Sequence, residues 1–184
     1  MYFKHLNKFI FNFPVNKSTS RLICKYSTVH CEILANKVVI AEKEFEKDHM
    51  TNVTPKILSY IGKNLHLQKT NPLNHLRKRI VEVMGNPLFS VYDQLLPVVN
   101  LNQNFDSLLV PKNHVSRQKS DNYYINQNYL LRAHTTAHQT ELIQMGLDNF
   151  LVVGDVFRRD SIDSSHYPVF HQVDAVRLCS KHDV

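Results

Sequence analysis

The chain has 184 residues, 43% of them hydrophobic and 21% charged, with 4 Gly and 7 Pro. That suits one globular domain, or one and a piece, and excludes a wholly disordered or collagen-like chain. The net charge of +6 is unevenly placed: residues 1–31 hold Lys4, Lys8, Lys17, Arg21 and Lys25 and no acid, so the remainder is almost neutral and bulk charge gives no evidence for nucleic acid.

Residues 1–31 are basic and dotted with Ser, Thr and aromatics, and Phe3, Leu6, Phe9, Ile10 and Phe13 recur at helical spacing. A cationic amphipathic helix of this kind describes a mitochondrial transit peptide and a matrix destination. Asn7, Lys8, Asn12 and Pro14 interrupt any secretory core. No apolar run approaches the roughly 18–20 residues of a membrane helix, so no membrane partner is expected. Cys24, Cys31 and Cys179 form no CxxC pair and no even framework, which fits reduced thiols in an intracellular compartment. Residues 32–50 pass from partly apolar to strongly charged and read as a linker.

Two punctuated helices follow. Thr54-Pro55 offers a cap and a first-turn proline, Ile57, Leu58 and Ile61 form a stripe, and Gly62 stops it. Asn71-Pro72 opens the second, with Leu73, Leu76, Ile80, Val83 and Met84 on one side and Gly85 at the end. The run Arg77-Lys78-Arg79 is read as a solvated helix face in preference to an RNA contact. Residues 87–111 interleave Val, Phe, Tyr and Leu with polar residues and predict strands of a half-exposed antiparallel sheet. Residues 112–128 are polar and mostly loop. A third helix is expected near Thr136, where Thr136 and Gln139 fit a capping box and Gly146 supplies the stop.

The last stretch carries the most chemistry. FLVVGDVFRRD predicts a strand with a possible bulge at Gly154-Asp155, and VFHQVDAVRL alternates, so the two form an antiparallel hairpin. Alternation puts Val156, Arg158 and Asp160 on one face, and Gln172 and Asp174 on a common face, with His171 and Val173 turned the other way. A face bearing Arg158, Gln172 and Asp174, joined by a loop with His166 and Tyr167, is either the floor of a site for a charged ligand or an edge hairpin wetted on one side. Pattern alone leaves both open. A metal site is a further alternative, since His134 and His138 stand i, i+4 with His166, His171 and Asp174 beyond them. Thr135 stands where HExxH needs Glu, and a cap at Thr136 leaves His134 before the helix, so no metal is assigned.

GDVFRRDSIDSSHYPVFHQVDAV resembles motif 2 of class II aminoacyl-tRNA synthetases, and more narrowly the single-chain mitochondrial phenylalanine type. NFDSLLVPKNHVSRQKSDNYYI and LLRAHTTAHQ are similar to the same family, in that order and at that spacing. The likeness runs from about residue 49 to residue 184. It implies an α+β fold, an antiparallel sheet flanked by helices, with ATP and amino acid lying on the sheet and motif 1 near residues 73–111. It also implies the reaction. The phenylalanine carboxylate attacks the α-phosphorus of ATP, pyrophosphate leaves, and the adenylate esterifies the terminal adenosine of tRNA(Phe).

Residue by residue, the resemblance assigns Arg158 to the α-phosphate, with Mg²⁺ sharing the charge. It assigns Thr136, Ala137, His138 and Gln139 to the block at the head of the third helix, beside an anionic group. Ser165, His166 and Tyr167 belong to the loop over ATP, and Gln172, Val173 and Asp174 to the return strand that holds the phenylalanine ammonium. His134 is a secondary candidate. Position 136 is Thr where the family usually has Ser, and Asp174 stands one methylene short of the usual Glu. Val115 replaces an expected proline. The family continues past motif 2 with motif 3 and an anticodon-binding domain, so the 184-residue chain is expected to be an N-terminal fragment, monomeric and inactive in aminoacylation by itself. The alternative is a non-catalytic remnant that binds tRNA or a protein partner.

Overall fold

The computed structural model describes residues 29–84, 88–159 and 163–179. The transit-peptide reading therefore lies almost wholly outside the described residues, as does Asp160.

The stretch expected to be a linker is instead a folded meander. β1 (Cys31–Ile33), β2 (Lys37–Ile40) and β3 (Lys43–Glu46) pair antiparallel in sequence order. Period-2 alternation turns Val38, Ile40 and Phe45 to one side, where they are buried. The β2–β3 connection is the two residues Ala41 and Glu42, both at positive φ (50° and 66°). That is the backbone of a type I′ hairpin turn, made without the Asn-Gly or Gly-Gly that normally signals one. Hence nothing in the sequence marked a hairpin.

α1 (Pro55–Leu58) starts as expected, with Thr54 Oγ1 accepting from the Ile57 amide at 3.3 Å. Ile57, Leu58 and Ile61 join Val38, Ile40 and Phe45 in the main core, together with Tyr123, Ile125, Leu131 and Phe157. α2 (Pro72–Met84) also starts as expected, Asn71 Oδ1 accepting from the Leu73 amide at 3.0 Å. Its apolar stripe docks only in part, however: Leu73 and Ile80 are half-buried, while Leu76, Val83 and Met84 are exposed. The helix is seated by polar contacts. Buried Asn74 donates to the His66 carbonyl at 2.9 Å, and Arg77 pairs with Asp93.

Residues 87–111 depart from the all-strand expectation. β4 (Ser90–Tyr92) runs parallel to β7 (Asn149–Phe157), whereas β5 (Val98–Asn100) pairs antiparallel with β6 (Tyr129–Leu131). Helical turns follow, α3 (Leu101–Asn104) and a 3₁₀ turn at Asp106–Leu108. The cause is a reciprocal capping box: Asn100 Oδ1 accepts from the Gln103 amide, and Gln103 Oε1 accepts from the Asn100 amide, both at 2.9 Å.

The third expected helix is a 3₁₀ turn, Thr135–His138, leading into α4 (Gln139–Gln144). The capping box at Thr136–Gln139 is not formed, because the Thr136 hydroxyl is drawn to Asp174. Gly146 at φ 85° follows the helix as expected.

β7 and β8 (Val169–Arg177) form the expected antiparallel hairpin in unbroken register, from Asn149 opposite Arg177 to Phe157 opposite Val169. No bulge interrupts Gly154-Asp155. Gly154 answers to a different constraint: a Cβ there would overlap the guanidinium of Arg132. β7 is buried from Phe150 to Phe157 and lies between β4 and β8. Among the described residues no helix is long and apolar enough to cross a membrane.

Candidate functional site

The hairpin register fixes the geometry. Gly154 opposes Gln172 and Val152 opposes Asp174, so both β8 side chains share the β7 face of Val156 and of Arg158, which continues the strand. The Arg158 amide still donates to the Pro168 carbonyl at 3.0 Å. Its side chain is exposed at the hairpin end. Nε donates to the Ala133 carbonyl at 2.9 Å, and the guanidinium carbon lies 5.1 Å from the centre of the Phe170 ring. Nε is thus anchored, and the two terminal nitrogens extend past the anchor.

The 3₁₀ turn is clasped to the same face. Asp174 Oδ2 accepts from the Thr135 hydroxyl at 2.9 Å and from the Thr136 hydroxyl at 2.6 Å. Gln172 Oε1 accepts from the Thr135 amide at 3.3 Å. One carboxylate oxygen therefore holds two hydroxyls, leaving Asp174 Oδ1 and the Gln172 amide nitrogen as polar groups on this face. Beside it, His134, Thr136 and Gln139 line an open cleft of about 450 Å³ with Ser107, Leu108 and Leu109. Burial, and then the Arg158 charge, holds the His134 imidazole below its ordinary range.

Other sequence-derived candidates lie elsewhere. Ala137 is buried beneath the turn. His138 is buried too, facing away from Thr136: its Nε2 accepts from Arg132 Nη1 at 3.0 Å. Burial, then the Arg132 charge, then His134 push its pKa down to about 4, so the imidazole is neutral at physiological pH. Ser165 and His166 gather around Asp163, whose Oδ1 accepts from both backbone amides, from the Ser165 hydroxyl and from His166 Nδ1. These bonds hold the Asp163 carboxyl far below the usual carboxylate range. The Tyr167 hydroxyl meets that of Tyr60 at 2.5 Å. Val173 opposes Val153 on the other face of the hairpin.

Residues 51–183 match the family described as tRNA synthetases class II core domain (F). The chain belongs to this family. The chain is 65% identical over 150 residues to a probable mitochondrial phenylalanine–tRNA ligase of Drosophila melanogaster, the match covering 77% of this chain and 33% of that protein. It is 57% identical to the mitochondrial phenylalanine–tRNA ligase of Rattus norvegicus, over 77% of this chain and 32% of that protein, and 43% identical to that of Saccharomyces cerevisiae, over 70% and 29%. The chain thus spans about one third of the length of these relatives.

Sequence reasoning missed two residues of this class II core. Thr135 contributes both a hydroxyl and an amide to the clasp, a role that no local sequence pattern signals. Arg132 is 2% exposed, with Nε donating to the Asp155 carbonyl at 2.7 Å and Nη1 to the Leu95 carbonyl at 3.4 Å. Burial lowers its pKa to about 10, and Asp155 partly offsets this. The available signal was a lone charge closing the apolar run Tyr129-Leu130-Leu131.

Proposed function

We propose that this chain supplies the phosphate- and amino-acid-binding face of a mitochondrial phenylalanine–tRNA ligase. L-Phenylalanine, ATP and tRNA(Phe) would be its substrates. The observation that carries the reading is the shared face of Arg158, Gln172 and Asp174, fixed by the β7–β8 register. The phenylalanine carboxylate attacks the α-phosphorus, the bond to pyrophosphate breaks, and the adenylate then passes its acyl group to a hydroxyl of the terminal adenosine, releasing AMP. The attacking carboxylate is already ionised, so the first step asks for positioning and charge neutralisation and not for a general base. A guanidinium anchored at Nε presents its remaining N–H fork to a phosphoryl oxygen, bidentate and permanently charged.

Asp174 Oδ1 and the Gln172 carboxamide are the groups suited to the substrate ammonium. The shorter Asp side chain reaches it through a water bridge. The Ser165, His166 and Tyr167 loop is read as closing over the nucleotide. Mg²⁺ would arrive on the ATP phosphates. The carboxylate on this face, Asp174, holds two hydroxyls on Oδ2 and turns Oδ1 to the substrate ammonium, so the described residues offer the ion no spare side-chain ligand there. The acid-free, basic first 31 residues and the relatives' mitochondrial names support a matrix location, and the motif order supports a monomer of the single-chain type.

The test is calorimetric titration with a non-hydrolysable phenylalanyl-adenylate analogue. The chain is expected to bind it saturably, and Arg158→Ala to weaken binding by roughly 10- to 100-fold, as loss of charge-assisted bonds requires. No binding to the wild-type chain, or equal binding to Arg158→Ala, overturns the reading.

A further inference from the structure

The opposite face of the same hairpin carries a second constellation. Asp155 of β7 opposes His171 of β8, and His66, from a 3₁₀ turn at Leu65–Leu67, packs against both. His171 Nε2 lies 2.8 Å from Asp155 Oδ1, and His66 Nδ1 lies 3.8 Å from the same oxygen. The three atoms fall within 4.8 Å of one another. His66 and Asp155 are buried, at 2% and 5% exposure. None of the three atoms has a hydrogen-bond partner of acceptable geometry, although native interiors rarely leave polar groups in that state.

The His66 ring shows which atom is free. Its Nε2 lies 2.8 Å from the Asp93 carbonyl oxygen, which can only accept, so Nε2 carries the proton and the neutral ring presents a lone pair at Nδ1. That lone pair faces a carboxylate oxygen. Two acceptors turned on each other away from water need a cation between them. A proton shared by His171 and Asp155 would satisfy those two and still leave His66 Nδ1 bare. An imidazole held by its second N–H on a backbone carbonyl is also the arrangement that orients metal-ligating histidines.

We propose that His66 Nδ1, His171 Nε2 and Asp155 Oδ1 bind a divalent transition-metal ion, zinc being the one their two-nitrogen, one-oxygen donor set suits best. With bond lengths of about 2.0–2.2 Å, one ion reaches all three atoms after a small inward shift of His66. The fourth position opens on a cleft of about 350 Å³ bordered by Asp155, His171, Tyr60 and Tyr167, which gives the ion a path in and room for a water ligand. The Lys63 ammonium on that border is drawn over the Tyr60 ring, 4.3 Å from its centre. The ion joins the turn that seats α2 to both long strands, and it does so on the side of the sheet away from Arg158. Its role is structural.

The experiment strips the purified full chain with a chelator, restores Zn²⁺ or Co²⁺, and removes the excess by desalting. One equivalent of zinc is expected to remain, and Co²⁺ to give the visible d–d absorption of a four- or five-coordinate ion. Zinc should raise the melting temperature of the wild-type chain. His66→Asn, His171→Asn and Asp155→Asn should each weaken zinc binding at least tenfold, while His114→Ala should not. Absence of retained zinc and of the cobalt spectrum on the wild-type chain overturns the proposal, and that arm needs no variant to fold. So does a cobalt spectrum left unchanged by His66→Asn.

Discussion

The β1–β3 meander and the β4–β7–β8 sheet are built on different terms. The meander turns Val38, Ile40 and Phe45 into the core, and its main irregularity is a tight turn at Ala41-Glu42. Around the larger sheet, Arg132, His138, Asp155 and His66 are all buried, and each is held or faced by another polar group. Apolar burial is non-directional and tolerates imprecise partners, whereas buried polar groups demand specific ones. The lead-in sheet should therefore respond mildly to substitution at its turn, and the larger sheet severely to any change in its polar interior.

The largest effect is expected at Arg132. Arg132→Met removes the donors to the Leu95 and Asp155 carbonyls and to His138, and should destabilise the chain by about 3–5 kcal/mol in urea unfolding. Gly154→Ala should cost about 1–3 kcal/mol, because the new methyl overlaps the buried Arg132 guanidinium and must displace it from its carbonyl partners. The double variant should be more stable than the sum of the two losses implies, which would show that both act on one contact.

A comparable but pH-dependent effect belongs to His138. Its folded pKa of about 4 lies below the unfolded value near 6.5, so the unfolded chain takes up the proton first. The associated stability is complete above about pH 7 and is lost as pH falls from about 6.5 towards 4, amounting to about 3 kcal/mol. His66 and His134, also lowered chiefly by burial, act in the same direction. His138→Gln keeps an acceptor for Arg132, so the difference between wild-type and variant unfolding energies at pH 7 and pH 4.5 isolates this residue.

A smaller loss is expected from Asp174→Ala, which strands the hydroxyls of buried Thr135 and half-buried Thr136. About 1–2 kcal/mol should disappear from thermal unfolding, with analogue binding weakened as well. The smallest effect has the opposite sign. Ala41→Asn with Glu42→Gly supplies the residues a type I′ turn prefers and should stabilise the meander by about 1 kcal/mol. If that pair destabilised the chain, or Arg132→Met did little, the contrast between the two sheets would fail.

Legibility in the sequence follows the same division. The β7–β8 hairpin and the common face of Arg158, Gln172 and Asp174 were readable because a period of two survives in residues 150–157 and 169–177. The clefts and the clasp were not, since the partner of Asp174 lies 38 residues away at Thr136 and no local pattern links them. The meander was invisible because Ala41-Glu42 carries no turn chemistry. α3 was hidden by Val98 and Val99, which make Asn100 look like the middle of a strand when its side chain ends one. The exposed side of α2 shows the limit of periodicity: Leu76 and Val83 are spaced as a core stripe with Leu73 and Ile80, yet both face solvent while Asn74 and Arg77 make polar contacts that hold the helix.

The bond from Arg158 Nε to the Ala133 carbonyl has a consequence for what position 158 can accept. A peptide oxygen does not titrate and is present whatever side chain occupies 133, so this tether is indifferent to acidity and to drift at its neighbour. An arginine can spend one nitrogen on such a tether and keep others for a guest. A lysine owns a single nitrogen, and at this position its ammonium would divide itself between holding still and reaching out.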